Sequence, residues 1–344
     1  MSLTQDQILD IAKHVTAEYN KGKIVNIMPT LQRHEIFGRV MKQNTVSYQG
    51  GSTINMSLLT SFPSGATEDI GLYHKDEPTV PDLATSMSVP WRWTRTNYSW
   101  DEGELALVNG DNKIADLLKS REMGAVTSRA SHYETRGWSS PSSSSNKLQP
   151  WGIPHYVVKN ATEGFYGQNP SGWSDTAGID AITETRWRNR TGTYSVVSRD
   201  DLIYKLRDAM LDCAFMPVTS GEELKGGSGQ QYRMYTNKTV FLKVQDLMRG
   251  QNDNLGVDLA NMEGSTLLNG SPFVYVPYLN ADTQNPVYGI NFSCFHVAVN
   301  SRMWEKRNVA VAAAGQSSVF TTFINSMWNM ICTNRREQFV LYAA

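Results

Sequence analysis

A chain of 344 residues with 19% charged side chains and a formal net charge of −1 can bury a sizeable core in one large domain or two ordinary ones. Such a balance supplies no basic footprint for sequence-independent nucleic-acid binding, although a local basic patch remains compatible with it. The opening Met1-Ser2-Leu3-Thr4-Gln5-Asp6 lacks the regions of a signal peptide, and the longest small-apolar run, Val309 to Ala314, is far below the roughly 18 residues of a membrane span. The chain is therefore expected to be soluble and made in the cytoplasm.

Near the start, Thr4 and Gln7 form a capping box ahead of Ile8, Ile11, Ala12, Val15 and Tyr19 on one helical face. Gly22 ends that helix, and Thr30 after Pro29 caps a second, which carries Ile36, Phe37, Val40 and Met41. These helices make an N-terminal arm, or else two ordinary packed helices. From Thr45 to Trp100 the chain reads as extended. Val46, Tyr48, Ile54, Met56 and Leu58 alternate with polar residues before Pro63-Ser64-Gly65. After the acidic tip His74-Lys75-Asp76-Glu77-Pro78, the extended pattern resumes from Ser86 to Thr96. Two limbs of about 25 residues could reach on the order of 80 Å, against a diameter of about 50 Å for a compact chain of this length. An arm longer than its own domain is expected to pack on something outside it.

Asp101 to Arg136 reads as a long helix with a break near Asn109-Gly110-Asp111. Unbroken, its roughly 35 residues would span about 50 Å. Gly137 closes it, and Ser139 to Asn146 is a low-complexity loop. Ser198 with Asp201 caps a helix bearing Leu202, Ile203, Leu206 and Met210, and Lys225 to Gly229 is a flexible loop. Thr239 to Met248 reads as a helix and Phe273 to Val276 as a buried strand. Val287 to Phe295 and Met330 to Tyr342 read as C-terminal strands. The class is α+β, without regular βαβ alternation.

Residues that could carry chemistry are scattered. Six histidines show no metal-binding spacing, and His296, between Phe295 and Val297, reads as a core histidine. Gly227-Ser228-Gly229 lacks the rest of a phosphate loop, and no Gly-x-Ser-x-Gly elbow is present. The His74 to Glu77 cluster reads as a solvated tip. Cys213, Cys294 and Cys332 are distant from one another and suit reduced thiols. No catalytic, cofactor-binding or metal-ligating residue is assigned, and no cofactor is expected. Trp91 and Trp93 are expected to share a strand face with Arg95 next along it. They could stack on a ligand, but packing against a neighbour is favoured because Trp and Arg are enriched at interface hot spots. Trp138, Trp151, Trp173 and Trp187 lie in Gly-, Pro- and Ser-rich surroundings and are expected to pin irregular loops.

Several phrases follow one another in a particular order: Val89-Pro90-Trp91-Arg92-Trp93, Trp151-Gly152-Ile153-Pro154-His155-Tyr156, Gly164-Phe165-Tyr166-Gly167 and Pro170-Ser171-Gly172-Trp173. Gln251 to Gly256, Pro286 to Asn291 and Cys332 to Leu341 follow. By these the chain resembles the major capsid proteins of tailed bacteriophages, with the Hong Kong ninety-seven fold, over most of residues 85 to 344. The resemblance implies an arm (1–44), an extended β-hairpin loop with the start of a peripheral domain (45–100), and a spine helix with peripheral domain (101–160). A mainly axial domain with peripheral-domain strands (161–335) and a C-terminal strand (336–344) complete it.

The implied function is self-assembly through pentamers and hexamers into an icosahedral shell around phage double-stranded DNA, without an active site. Because only about 44 residues precede the extended limb, a separate scaffolding protein is expected. A portal is implied, a decoration protein is compatible, DNA is contacted without sequence specificity, and no membrane is involved. Localisation would be the virion, assembled in the host bacterial cytoplasm. Lysine–asparagine cross-linking, found in some relatives, is not expected, since nothing identifies a partner for Lys75. Candidate subunit-interface residues are Trp91, Trp93, Arg95, Lys75, Arg121 and Arg129. Replacing Trp91 or Trp93 by Ala is expected to weaken assembly and leave the subunit folded. The alternatives are an encapsulin-like nanocompartment shell with the same fold, and a secreted β-rich carbohydrate-binding protein, which the missing signal peptide disfavours.

Overall fold

The computed structural model describes residues 34–59, 69, 84–107, 111–213, 232–252, 266–268, 271–312 and 315–344. The helix expected after Thr4, the hairpin tip with Lys75 and the Lys225–Gly229 loop lie outside the described residues. A π-turn at Ile36–Val40 runs into a single α-turn, Met41–Gln43. Strands β1 (Thr45–Tyr48), β2 (Thr53–Leu59), β3 (Ala84–Pro90) and β4 (Arg92–Asp101) follow, then helices α1 (Glu102–Leu107) and α2 (Asp111–Gly137). The middle of the chain supplies β5 (Gly164–Gly167), β6 (Asn189–Tyr194), α3 (Tyr204–Asp212), β7 (Tyr232–Thr236), α4 (Lys238–Asn252), β8 (Thr266–Leu268) and β9 (Ser271–Tyr275). The last part holds β10 (Val287–Asn291), β11 (Phe295–Asn300), β12 (Lys306–Arg307), β13 (Val311–Ala312), β14 (Val319–Cys332) and β15 (Phe339–Ala343).

Strand β14 organises the first, six-stranded sheet. Its 14 residues pair with β4 along one edge and with β11, β12 and β13 in succession along the other, while β1 joins parallel to β11. The expected extended limbs are therefore divided. Their outer ends, β1 and β4, belong to the core sheet, and only β2 and β3 pair with each other, from Thr53↔Pro90 to Leu59↔Ala84. The chain leaves β1 through Gly50 and Gly51, whose φ angles of 139° and 96° suit residues without a Cβ. It returns at Pro90, whose carbonyl accepts from Asn329 Nδ2 at 2.8 Å. The paired stem of seven residues spans about 23 Å.

The second sheet has seven strands in the order β5-β6-β15-β10-β7-β9-β8. A π-turn at Arg199–Ile203 leads into α3, and together they pack on this sheet through Leu202, Ile203, Leu206 and Met210, against Met234, Phe273, Phe339 and Leu341. The Ser198 cap forms as its spacing suggests: Ser198 Oγ accepts from Asp201 N at 3.2 Å. Asp201 in turn accepts from Ser195 N and Val196 N, beyond the cap residue itself. Gly289 on β10 is required by close approach, since a Cβ there would enter the Phe339 ring.

Two expected strands are each split between sheets. Val287 to Phe295 turns at Phe292–Cys294, where Ser293 N and Oγ both donate to Asn291 Oδ1. Met330 to Tyr342 turns at Thr333–Gln338, where Asn334 Oδ1 accepts from Arg336 N at 3.0 Å. Both breaks follow from an asparagine bonding its own backbone two residues on. The crossings are joined to each other by Thr333 N to Cys294 O at 2.8 Å and Asn291 N to Gln338 Oε1 at 2.8 Å.

The long helix expected from Asp101 is described over Glu102–Leu107 and Asp111–Gly137, as α1 and α2, and most of the expected break near Asn109-Gly110-Asp111 lies outside the described residues. At about 1.5 Å per residue α2 alone is roughly 40 Å long. Near its end, Glu134 is fully buried and accepts from Ile36 N at 2.7 Å, Phe37 N at 3.3 Å and Trp138 Nε1 at 2.8 Å. Ile36 packs over Gly137, where a Cβ would lie 2.7 Å from Ile36 Cγ1. Burial pushes the Glu134 carboxyl up from 4.5 to about 7, against the opposing pull of its three N–H donors.

The folded protein therefore holds this proton more tightly than the unfolded chain. The stability it contributes is complete below about pH 4.5 and is lost as pH rises through about 7. Denaturant titrations should show wild type losing on the order of 3 kcal/mol from this group between pH 4.5 and 7.5. Glu134→Gln should flatten that dependence, and an unchanged pH profile would refute the assignment.

Candidate subunit interface

Strand β4 pairs with β14 over ten residues, from Asp101↔Val319 to Arg92↔Trp328, so directly opposed side chains share a face. One face is covered. Trp328 Nε1 donates to Thr94 Oγ1 at 3.0 Å, and the Trp328 ring meets Tyr133 of α2 edge-on at 5.1 Å. Trp100 stacks on Phe320 and Tyr98 along the same face. The opposite face carries Trp93 and Arg95 of β4 with Asn325 and Met327 of β14. Trp93 is 60% exposed. Arg95 Nε donates to Asn325 Oδ1 at 3.1 Å, and its guanidinium lies 5.3 Å from the Phe323 ring centre.

The six candidate residues do not form one site. Trp93 and Arg95 share the open face. Trp91 does not: it falls in the break between β3 and β4, is only 6% exposed, and joins the core. Its Nε1 donates to Gly51 O at 3.1 Å, and its ring meets Tyr48 edge-on, so the polar handle is satisfied within the subunit. Arg129 is buried and pairs with Glu305 at 3.0 Å. Arg121 pairs with Glu104 at 2.7 Å and donates to Ser99 O at 2.8 Å, tying α1, α2 and β4 together. Trp91 and Arg129 are thus buried within the subunit, and Arg121 is engaged by its own chain. Lys75 lies outside the described residues.

The hairpin root is held by a network that has no signature in the sequence. Ser88 N donates to Ala177 O at 2.8 Å. Ala177 itself stands at φ 58°, followed by Gly178 at 82°. That turn belongs to the irregular segment 157–188, which Arg335 anchors. The Arg335 side chain is fully buried, and among the described residues it has no carboxylate partner. It donates to Tyr156 O at 2.7 Å, Gln168 O at 2.8 Å, Gly167 O at 3.3 Å, Asn189 Oδ1 at 3.2 Å and Thr176 Oγ1 at 3.3 Å. Burial lowers its pKa to about 10, which still leaves it charged at neutral pH. Asn329 has a parallel role, accepting from Trp151 N at 2.8 Å while bonding Pro90 O.

The tryptophans expected to pin loops do so. Trp138, Trp173 and Trp187 donate to Glu134, Pro141 O and Thr176 O, and Trp151 stacks on His155 at 4.6 Å. His155 is buried among these rings, which push its pKa down to about 3, so it is neutral near pH 7. His296 is half-buried with its pKa lowered by burial, and its Nε2 lies 3.4 Å from Tyr48 Oη. Burial and Glu337 push the Cys294 thiol up to about 12, and burial raises those of Cys213 and Cys332 further. Thiols so protonated are poor nucleophiles. Among the described residues no group of three or more His, Cys, Asp or Glu could hold a metal ion, and no helix is long and apolar enough to cross a membrane.

Unfolding experiments should separate the two tryptophans. Trp91→Ala should cost about 3–5 kcal/mol, whereas Trp93→Ala should stay within about 0.5 kcal/mol of wild type. Equal losses would contradict the division of the strand described above. For Arg335→Lys, which cannot reproduce the guanidinium fork, a loss of at least about 3 kcal/mol is expected. Hydrogen exchange at the Ser88 amide should accelerate in that variant. An unchanged Ser88 would mean that Arg335 does not set the hairpin root.

No family model matches the sequence, and no curated protein matches it. Solved structures do. The chain is similar to that of the cyanophage A-1(L) capsid asymmetric unit, at 14% identity and a TM-score of 0.61, covering 96% of this chain and 98% of that one. It is similar to the chain in the capsid of a native GTA particle (10% identity, TM-score 0.58, 97% and 98% covered). A third similar chain is from the mature capsid of bacteriophage PhiM1 (10% identity, TM-score 0.54, 95% and 90% covered). Each of these matches covers at least 95% of this chain. The chain has the fold of phage capsid proteins of the Hong Kong ninety-seven type.

Proposed function

We propose that this chain is a major capsid protein that assembles through pentamers and hexamers into an icosahedral shell around phage double-stranded DNA. The observation that carries this reading is the end-to-end correspondence with a capsid chain, 96% of one and 98% of the other. On this reading the six-stranded sheet with α2 is the peripheral domain, the seven-stranded sheet the axial domain, and residues 1–44 the arm. The β2–β3 hairpin is the extended loop reaching a neighbouring copy. Heterologous contacts repeated about five- and six-fold axes close into rings, and the rings tile a shell. The protein acts through surfaces rather than an active site, as a virion component assembled in the bacterial cytoplasm with a separate scaffolding protein and a portal. The open face around Trp93 and Arg95 fits such contacts, because an exposed aromatic beside an Arg is the composition of an interface anchor.

Expressed protein, with scaffold supplied, should sediment as large particles that appear as closed shells, tubes or rings in negative-stain electron micrographs. Trp93→Ala should lower the yield of those particles while leaving the subunit melt unchanged. A uniform 38.5 kDa monomer under all these conditions would sink the proposal.

A further inference from the structure

Helix α3 presents to solvent a surface that the described residues do not cover. Tyr204 is 67% exposed and Leu211 59% exposed, and Arg207 is exposed beside them. At about 100° per residue, the side chains run around the helix in the order Arg207, Leu211, Tyr204, Asp208, Asp212. An aromatic and aliphatic crest therefore separates two flanks of opposite charge.

On the basic flank, Arg199, Asp200, Tyr204 and Arg207 line an open concavity of about 300 Å³. On the acidic flank, three carboxylates converge on the buried Arg190 guanidinium. Asp212 lies 2.6 Å from it and Glu163 3.9 Å, and Asp208 is bonded directly. One cation against three anions leaves a net charge of −2. Each of these carboxylates is about half exposed, so each keeps lone pairs free to meet a cation from outside.

We infer that α3 is a self-docking ridge, the Arg207 flank of one copy seating against the Glu163–Asp208–Asp212 flank of the next. A second copy is the occupant because the chain supplies both halves of a complementary pair on different flanks of one helix. That arrangement makes a head-to-tail contact that repeats by rotation, rather than a two-fold one. The crest supplies an aromatic anchor, and the flanks set direction and reject the reversed approach. The inference rests on the assembly reading proposed above and names the contact through which rings would close.

The test compares assembly of wild type, Arg207→Glu, Glu163→Lys and the double variant by sedimentation across a concentration series at low and high salt. Each single exchange should raise the concentration needed for assembly by about tenfold, and the double exchange should restore it to within about threefold. Added salt should weaken wild-type assembly as the flanks are screened. Circular dichroism melts matching wild type would show that the exchanged subunits fold. Tyr204→Ala, which changes no charge, should give a comparable loss. If wild type assembles while both single exchanges assemble equally well, or the double exchange is no better than the worse single, the inference is overturned and the assembly reading stands. If wild type itself never assembles, both fall.

Discussion

The arrangement of this chain depends on one buried guanidinium. Arg335 sits where the chain crosses from the six-stranded to the seven-stranded sheet, and its donors reach acceptors spread from Tyr156 to Asn189. That span is mostly irregular, so its carbonyls have few strand partners to satisfy them. A fully buried cation would ordinarily demand a carboxylate. Here carbonyl and amide oxygens replace water instead, and the rigid fork of donors fixes several loop positions with one side chain.

Other buried polar groups extend that logic. Asn329 joins the hairpin's return at Pro90 to the loop at Trp151, and Glu134 joins the start of the described chain to the end of α2. Gln338 and Asn291 tie the two sheet crossings together. Each of these groups bonds backbone far away in sequence, so each specifies an arrangement of segments rather than a local conformation. The apolar cores drive collapse, while the polar ties fix how the hairpin root, the irregular segment and the two sheets meet.

Much of the architecture was legible in the sequence because it rests on local signals. The Ser198 cap, the α3 and α4 helices and the end of α2 at Gly137 each follow from a residue type acting on its own neighbourhood. The divided limbs were less legible. Val46 and Tyr48 alternate like Ile54 and Met56, and periodicity does not reveal that β1 pairs with β11, some 250 residues later. Trp91 was misplaced for a related reason: alternation puts it with Trp93, but the break after Pro90 turns it inward. Arg335 and Arg336 look alike as a basic pair, yet one is fully buried and the other rests against Phe165 at the surface. Only the tertiary carbonyls distinguish them. Trp93 and Arg95 were legible because a regular strand does keep i and i+2 on one side.

The subunit joins two sheets to a paired stem held at its root, and under the proposed function contacts made by the stem and by the sheet faces would be modest singly and add up around a ring. A reconstruction of the assembled particle by electron cryo-microscopy would test this most directly. The account predicts rings of five and six copies, with the paired strands β2 and β3 of each copy lying over a neighbour and Trp93 at a contact between copies. Particles in which that hairpin folds back on its own subunit, or in which Trp93 faces solvent at every position, would contradict it.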